Sequence, residues 1–246
     1  MDAENQPRVL TEWHDGVLIA TLNRPERANA LDGGSLKALL ELFSKTALDQ
    51  CCSAVVLTGA GQHFCAGADV KSYLNEPAAM SLREGFHPVV AAMMLLDKPI
   101  IAAANGAVAG GGLGLFLAAD VRIMSHTAQL LPSWIKLGLV PDLGASWLLP
   151  RMMGARAFDW LISGQAMSAQ RALELGLANE AVTSETVLAR SLARGREIAS
   201  KPALAVALTK RLIRESWTRN YASHLDAEAA MQDLAAARLT EPPKTN

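Results

Sequence analysis

The stretch NGAVAGGGLGLFLAAD, residues 105–120, places three consecutive glycines inside an apolar run. Glycine weakens helices and strands alike, so the triplet indicates a backbone that must approach another group closely. A dinucleotide-binding fingerprint would need an acidic residue about 20 positions further on, and Asp120 comes too early. A phosphate-binding P-loop would need Lys followed by Ser or Thr, which this stretch lacks. Two interpretations remain: free N–H groups that receive an anion at a helix start, or close packing of a helix against a sheet.

The segments around this stretch alternate between strand and helix patterns. A strand is predicted in GVLIATLNRP, residues 16–25, where side chains alternate in pattern until the proline, and buried strands are predicted in SAVVLTGAG, residues 53–61, and in KPIIAAANG, residues 98–106. A helix with its apolar residues at helical spacing is predicted in residues 35–50, with Ser35 or Asp32 as its cap. A short helix is predicted from Leu113 to Ala119. The alternation predicts an α/β fold, and the last third of the chain reads as helical.

Composition excludes several classes of function. The 246 residues are 50% hydrophobic and 19% charged with a formal net charge of -1, so no basic patch points to nucleic acid or to an anionic membrane. Glycines interrupt the uncharged run of residues 99–119, which argues against a membrane span. Three cysteines, two of them adjacent, fit neither a disulfide framework nor a zinc site. The polar, acidic N-terminus lacks the pattern of a signal or transit peptide, so we expect a cytoplasmic protein.

A second loop of small residues, CAGAD at residues 65–69, also follows a predicted buried strand. Two such loops could each direct one backbone N–H at the same oxygen, as in an oxyanion hole. The alternative is an ordinary turn in which Asp69 caps the segment that follows.

Four motifs, in this order along the chain, resemble those of a known protein family. They are LNRPERANALD at residues 22–32, HFCAGADVK at 63–71, KPIIAAANGAVAGGGLGL at 98–115 and KLGLVPDLGASWLLPRMMG at 136–154. Together the motifs resemble the enoyl-CoA hydratase/isomerase, or crotonase, superfamily, and the likeness runs from about Val9 to Val182. The resemblance implies a crotonase-like spiral of strand-strand-helix repeats over residues 1–190. It also implies a C-terminal helical region, residues 191–246, that supports a homotrimer or a dimer of trimers.

The resemblance further implies an acyl-CoA thioester substrate. The N–H groups of Ala68 and Gly111 would bind the thioester oxygen, and no metal and no cofactor beyond the CoA moiety of the substrate is implied. Stabilising the enolate oxygen matters because the proton next to a thioester is weakly acidic, and one lost oxyanion donor typically costs about 100- to 1000-fold in rate. The positions that match those lining CoA in the family are Arg27, Ala28, Ala30, Ala66, Asp69, Val70 and Lys71.

Two departures from the family pattern bear on the reaction. Hydratases of the family carry glutamates at the positions that are Gly114 and Trp134 here, so the carboxylate pair that activates water is missing. Asp142 instead resembles the acid/base residue of family members that isomerise enoyl-CoA or 1,2-epoxyphenylacetyl-CoA. A single carboxylate can take a proton from one carbon and return it to another, so isomerisation is favoured. Without the resemblance, Asp142 reads as a turn residue after Pro141.

Other interpretations stay open. The first is hydration of an enoyl-CoA by Asp142 or an unexpected acid, for which Asp97 and Glu84 are weak candidates. The second is an acyl-CoA-binding or assembly subunit that has lost catalysis. The five histidines show no metal-binding spacing and are predicted to be surface or core residues. The predicted pocket-lining residues are Leu74, Phe86, Met93, Met94, Leu115 and Trp134.

Overall fold

A computed structural model describes residues 6–73 and 77–237 of the chain. The strands in chain order are β1 (Val9–His14), β2 (Val17–Leu22), β3 (Ala54–Gly59), β4 (Ile100–Ala104), β5 (Val108–Ala109), β6 (Val121–Ser125), β7 (Gln129–Leu131), β8 (Met167–Ser168) and β9 (Glu180–Val182). They form a six-stranded sheet in the order β1-β2-β3-β4-β6-β9 and a three-stranded sheet in the order β5-β7-β8.

The larger sheet is parallel except for the β1–β2 pair. Every residue of β3 and β4 is buried. Because helices cover a parallel sheet on both faces, its central strands are apolar throughout and do not alternate. The predicted α/β class is confirmed, as are the strands predicted in three segments, which are β2, β3 and β4.

Helices connect and cover these strands. They are α1 (Gly33–Leu48), α2 (Val70–Tyr73), α3 (Ala78–Ser81), α4 (His87–Leu95), α5 (Gly111–Ala118), α6 (Ala145–Met153), α7 (Arg156–Ser163), α8 (Ala169–Glu174), α9 (Val187–Ala199), α10 (Ala203–Glu215) and α11 (Tyr221–Ala237). A five-residue π-helical turn, Leu82–Phe86, joins α3 to α4. Within the described ranges, no helix combines the length and the apolar character needed to cross a membrane.

The start of α1 is set by one side chain. Asp32 Oδ1 accepts hydrogen bonds from both the backbone N–H and the hydroxyl of Ser35, each at 2.8 Å. Asp32 is therefore the cap, and Ser35 lies within the first turn. The helix then buries an apolar face that includes Leu36, Leu39 and Phe43 against the sheet.

Helix α9 covers the opposite face of the sheet. Val187 at its start joins a cluster that includes Val17, Val56 and Ile101 from three neighbouring strands. Close approach is possible because a Cβ on Gly195 would lie 2.9 Å from a methyl of Val17. The predicted boundary between residues 190 and 191 therefore falls inside a helix that packs on the sheet.

Ion pairs and hydrogen bonds attach α10 to the core. The buried Lys210 ammonium pairs with Asp120 and donates to the Lys98 carbonyl at 3.0 Å. Arg211 Nε donates to Asp97 Oδ1 at 2.7 Å, and this hydrogen bond lowers the pKa of Asp97. Asp97 is thus a partner of α10, and its interpretation as a second acid is wrong.

The cap at Asp32 leads to a prediction about stability. Burial tends to raise the pKa of Asp32, but the hydrogen bonds from Ser35 and the charges of Arg24 and Arg8 outweigh it, so the pKa is lowered. We expect Asp32→Ala to reduce the free energy of unfolding by about 1 kcal/mol at neutral pH. A lowered pKa contributes stability that is fully present above the unfolded pKa, so the difference from wild type should shrink as pH falls below about 4 and vanish only below the folded pKa.

Urea unfolding at several pH values measures this effect. Glu41→Ala is the matched control, because Glu41 lies in the same helix and is exposed beside Lys45. Its effect should stay within about 0.5 kcal/mol. An Asp32→Ala difference that persists unchanged at pH 3 would show that the cap does not act through the carboxylate.

Candidate active site

Two loops that follow neighbouring strands run side by side. Residues 60–69 follow β3, and residues 105–110 connect β4 to α5. Cys65 pairs with Val108 in a parallel bridge, in which Ala109 N donates to Cys65 O at 2.9 Å and Cys65 N donates to Ala107 O at 3.3 Å. The two glycine-containing loops predicted from the sequence therefore do meet.

Glycine is required where these loops come closest. Gly67 has φ of +97°, and a Cβ there would lie 2.9 Å from both the Ala109 carbonyl oxygen and the Gly111 nitrogen. Gly110 has φ of +48° and turns the chain into α5. The helix begins at Gly111, two residues before the predicted start at Leu113. Gly111 and Gly112 thus belong to the first turn, whose N–H groups have no acceptor within the helix.

The backbone N–H groups of Ala68 and Gly111 are both free to donate hydrogen bonds at the place where the two loops come closest. Leu31 N donates to Gly67 O at 2.7 Å and Asp69 N donates to Leu31 O at 2.9 Å, so the intervening Ala68 N–H points to the other side of this extended segment. Across the described residues, neither amide donates to a protein acceptor. A Cβ on Gly111 would lie 3.6 Å from Ala68 N, which places the two amides next to each other.

Close packing explains the remaining glycines of the stretch. A Cβ on Gly112 would lie 2.5 Å from the Cys65 carbonyl oxygen, and a Cβ on Gly114 would lie 2.4 Å from Leu143 Cβ. The packing interpretation therefore holds for Gly112 and Gly114. The free amide of Gly111 is the feature that the anion interpretation needs.

Asp142 lies in the loop before α6, and its carboxylate is partly buried. Trp134 Nε1 donates to Asp142 Oδ1 at 2.9 Å, and the indole is only 3% exposed. Burial raises the pKa of Asp142, while the hydrogen bond from Trp134 and the charge of His87 offset part of the rise. The backbone also forms a turn, because Ala145 N donates to Asp142 O at 2.9 Å. The turn therefore involves only the backbone carbonyl group of Asp142, and the hydrogen bond from Trp134 orients its side-chain carboxylate.

Leu143 connects Asp142 to the free amides. Its side chain is buried, and its Cδ1 would lie 3.3 Å from a Cβ on Gly111. The residue after Asp142 therefore touches the residue that carries one of the two free amides. The predicted catalytic residues Asp142, Ala68 and Gly111 are brought to one region.

The residues predicted to line CoA lie on two adjoining segments. Ala66 N donates to Ala28 O at 2.9 Å, which joins the segment that holds Arg27, Ala28 and Ala30 to the one that holds Ala66. Val70 and Lys71 continue from that second segment as exposed residues at the start of α2. Their contacts with CoA stay a prediction.

Asp69 differs from the other residues of this set. Its side chain is 7% exposed and accepts from the Arg24 guanidinium at 2.9 Å, with Arg27 at 3.5 Å. The ion pair ties residues 24–31 to residues 65–69. Arg24 was missed in the sequence because its partner is 45 positions away.

The predicted pocket-lining residues are not all in one place. Phe86 packs against Tyr73 with ring centroids 5.1 Å apart, while Met93 and Leu115 are core residues. Met94 lines a cavity of about 700 Å³ between α10 and the core, which none of Ala68, Gly111 and Asp142 lines. The role of Met94 in lining the acyl pocket stays a prediction, and Leu74 lies outside the described residues.

His87 is a site residue that sequence reasoning missed. It is the exposed first residue of α4, and Val90 one turn later lies 3.8 Å from where a Cβ of Gly144 would be. The same face of α4 therefore meets the loop that carries Asp142, and the charge of His87 acts on that carboxylate. In the sequence, only the spacing of three residues between His87 and Val90 could have indicated that His87 lies near the loop of Asp142. Among residues 6–73 and 77–237, no group of three or more His, Cys, Asp or Glu side chains could hold a metal ion.

Known proteins share this architecture. The family model described as enoyl-CoA hydratase/isomerase matches residues 12–240. A 1,2-epoxyphenylacetyl-CoA isomerase of Escherichia coli is 35% identical over 92% of this chain and 89% of its own length. A 4-chlorobenzoyl coenzyme A dehalogenase of an Arthrobacter species is 32% identical, covering 87% of this chain and 80% of its own. The crystal structure of a probable enoyl-CoA hydratase/isomerase from Mycobacterium abscessus is 36% identical, with a TM-score of 0.84 over 92% of this chain and 88% of that one.

The chain belongs to the enoyl-CoA hydratase/isomerase family. The resemblance read from the four motifs and the crotonase fold that it implied are both confirmed. Membership places the chain among enzymes that isomerise or hydrate acyl-CoA thioesters.

The bond between Trp134 and Asp142 leads to a second prediction. Trp134→Phe removes a donor to the charged carboxylate, so we expect the pKa of Asp142 to rise further above its ordinary value. A ¹³C NMR titration of the aspartate carboxyl carbons measures it, with Asp142→Asn to assign the signal. Trp160→Phe is the matched control, because Trp160 is also buried and donates to the Gln165 carbonyl at 2.9 Å. A pKa that stays constant or falls in Trp134→Phe would contradict the assigned role of the indole.

Proposed function

We propose that the protein is an acyl-CoA isomerase that shifts a double bond, or rearranges an epoxide, next to a CoA thioester. The observation that carries the proposal is one partly buried carboxylate, Asp142, whose neighbour Leu143 packs near Gly111, the residue that carries one of two adjacent free backbone amides. The similarity to an isomerase of 1,2-epoxyphenylacetyl-CoA supports the same reaction class.

In this proposal the thioester oxygen accepts hydrogen bonds from the N–H groups of Ala68 and Gly111. Asp142 removes a proton from a carbon whose electrons can delocalise into the carbonyl, and the resulting enolate oxygen is stabilised by the two amides. Asp142 then returns the same proton to a different carbon, so the substrate is isomerised with no net gain or loss of atoms. A carboxylate whose pKa is raised by burial is a better proton carrier near neutral pH than an exposed one.

The composition of the site supports isomerisation over hydration. Hydration requires a water molecule held and activated, which the family's hydratases achieve with two glutamates. Trp134 occupies one of those positions and directs its N–H at Asp142, while the other is Gly114, which Leu143 covers. Neither position can supply a carboxylate.

The exposed cations at the rim suit the phosphates of CoA. Arg27 and Lys71 lie on adjoining segments near Ala66 and Ala28, and both are exposed. We propose that these residues hold the CoA moiety, that no further cofactor is used, and that the active form is a homotrimer or a dimer of trimers.

The central test is the loss of the carboxylate. Asp142→Asn is expected to lower kcat by about 100- to 10,000-fold while acyl-CoA binding stays nearly intact, because only proton transfer is removed. Turnover is followed as the appearance of conjugated thioester absorbance from a 3-enoyl-CoA and, separately, as conversion of 1,2-epoxyphenylacetyl-CoA. Asp159→Asn is the control, because Asp159 is an exposed aspartate of α7.

Three outcomes would contradict isomerisation. Activity near wild type in Asp142→Asn would reject the role of this carboxylate. Loss of the conjugated absorbance of crotonyl-CoA in wild type would identify a hydratase. Binding of acyl-CoA esters without turnover of any substrate in a broad panel would identify a subunit that has lost catalysis.

A second candidate function is hydrolytic removal of a halide from an aromatic acyl-CoA. Two observations favour it: His87 lies close enough to influence Asp142, and two similar proteins of Arthrobacter are 4-chlorobenzoyl coenzyme A dehalogenases. In this reaction the Asp142 carboxylate would attack the ring carbon that bears chlorine, and the added negative charge would reach the thioester oxygen at the two amides. Chloride would leave, and water deprotonated by His87 would hydrolyse the aryl ester of Asp142. The products are a hydroxyaryl-CoA, chloride and one proton.

Chloride release from 4-chlorobenzoyl-CoA decides between the two candidates. If the second candidate is right, wild type releases one chloride per thioester, and His87→Gln accumulates the aryl ester on Asp142, detectable as added mass. His126→Gln is the control, an exposed histidine in the turn after β6. No chloride from wild type, together with isomerisation of an enoyl-CoA, excludes dehalogenation.

A further inference from the structure

The loop that carries Asp142 has an unusual backbone at the next residue. Leu143 has φ of +47°, in the left-handed region that non-glycine residues with bulky side chains seldom adopt. Its side chain is fully buried. A residue held in this conformation persists only where its surroundings determine it, and such residues gather at active sites.

The surroundings of Leu143 are the side-chain-free face of α5. Gly111 and Gly114 are three residues apart and therefore lie on one face of the helix. A Cβ on Gly114 would lie 2.4 Å from Leu143 Cβ and 2.7 Å from Leu143 O, while a Cβ on Gly111 would lie 3.3 and 3.5 Å from the two Leu143 methyl carbons. The backbone of Leu143 thus rests on Gly114, and its methyl groups reach the residue that carries a free amide.

We propose that Leu143 is a positioning residue: lodged on the glycine face of α5, it fixes the Asp142 carboxylate relative to the free amides and fills the volume that a side chain at position 114 would occupy. The inference rests on the proposed function, because the position of the Asp142 carboxylate relative to the two amides matters only if all three act on one substrate. It adds that residue 143 restricts the type of reaction, because its Cβ and carbonyl oxygen occupy the space that a side chain at position 114 would need for a second acid to enter the site from α5.

Other contacts besides that of Leu143 also hold this loop. Trp134 donates to the carboxylate from one side, and Val90 of α4 packs on Gly144 from another. His87 is the charged group that faces Asp142 from α4. Of these contacts, only the one made by Leu143 joins the loop to the helix that carries Gly111.

Two substitutions test the proposal from opposite sides. Leu143→Ala removes the methyl groups that reach Gly111, and Gly114→Ala adds a methyl group where the Leu143 backbone lies. In both we expect kcat to fall by about 100-fold with KM nearly constant, because displacement of a catalytic group by about 1 Å has an effect of this size. Both should also lower the pKa of Asp142, because a displaced loop lets water reach the carboxylate.

Each substitution has a matched control. Val187→Ala removes methyl groups from a buried residue of α9, in the separate cluster on the opposite face of the sheet. Gly33→Ala adds a methyl group at a helical glycine that has no neighbour within 4 Å. Both controls should keep kcat within about threefold of wild type and leave the Asp142 pKa unchanged, as expected for sites remote from the carboxylate.

The NMR titration of Asp142 separates this proposal from the proposed function. If wild type turns over no acyl-CoA, the function fails, and the Asp142 pKa in Leu143→Ala still decides the positioning role. A kcat and an Asp142 pKa that both match wild type in Leu143→Ala overturn the proposal. Should that variant not fold, Gly114→Ala gives the same decision, because alanine is intrinsically favoured over glycine in a helix and only the contact with Leu143 opposes it.

Discussion

The site depends on two backbones that approach each other more closely than side chains allow. At Gly67 the loop after β3 meets Ala109 and the amide of Gly111, at distances that leave no room for a Cβ. The approach is held by the parallel bridge between Cys65 and Val108. Both loops are therefore pre-formed, and the free N–H groups need no rearrangement before they can receive an oxygen, which is what makes such donors effective.

Around the place where the two loops meet, most polar and charged side chains hold the loops in position. Arg24 and Asp69 form a buried pair that joins two separate segments, and Asn29 donates to the carbonyl groups of Ala60 and His63. Asp142 is the exception, since its carboxylate meets an indole N–H and no cation within hydrogen-bond distance among the described residues. A carboxylate that is partly buried and not ion-paired has its pKa raised, whereas a salt-bridged one has its pKa lowered.

The residues that fill space in the site determine its chemistry as much as its functional groups do. Trp134 and Leu143 occupy the two regions from which second carboxylates would act, one by direct replacement and one by covering Gly114. Helix α10 is joined to the core through Lys210 and Arg211, so Asp97 and Asp120 are committed to structural pairs. One carboxylate and two amides are then what the proposed reactions share.

The α/β class, the buried strands, the family and the two glycine loops were all determined by the sequence alone, because apolar runs and glycine clusters are local patterns. The sequence limited the N-terminal cap of α1 to two candidates, Ser35 and Asp32. It placed the start of α5 two residues too late, because glycine disfavours a helix and the glycines were assigned to the preceding loop. The bond from Trp134 to Asp142, the pair of Arg24 with Asp69 and the approach of His87 were decided by tertiary structure. Each joins residues on different segments, and the side chains meet only after the strands have set the positions of their loops. The conformation of Leu143 is the clearest case, since only the empty face of α5 gives a left-handed leucine a place to pack.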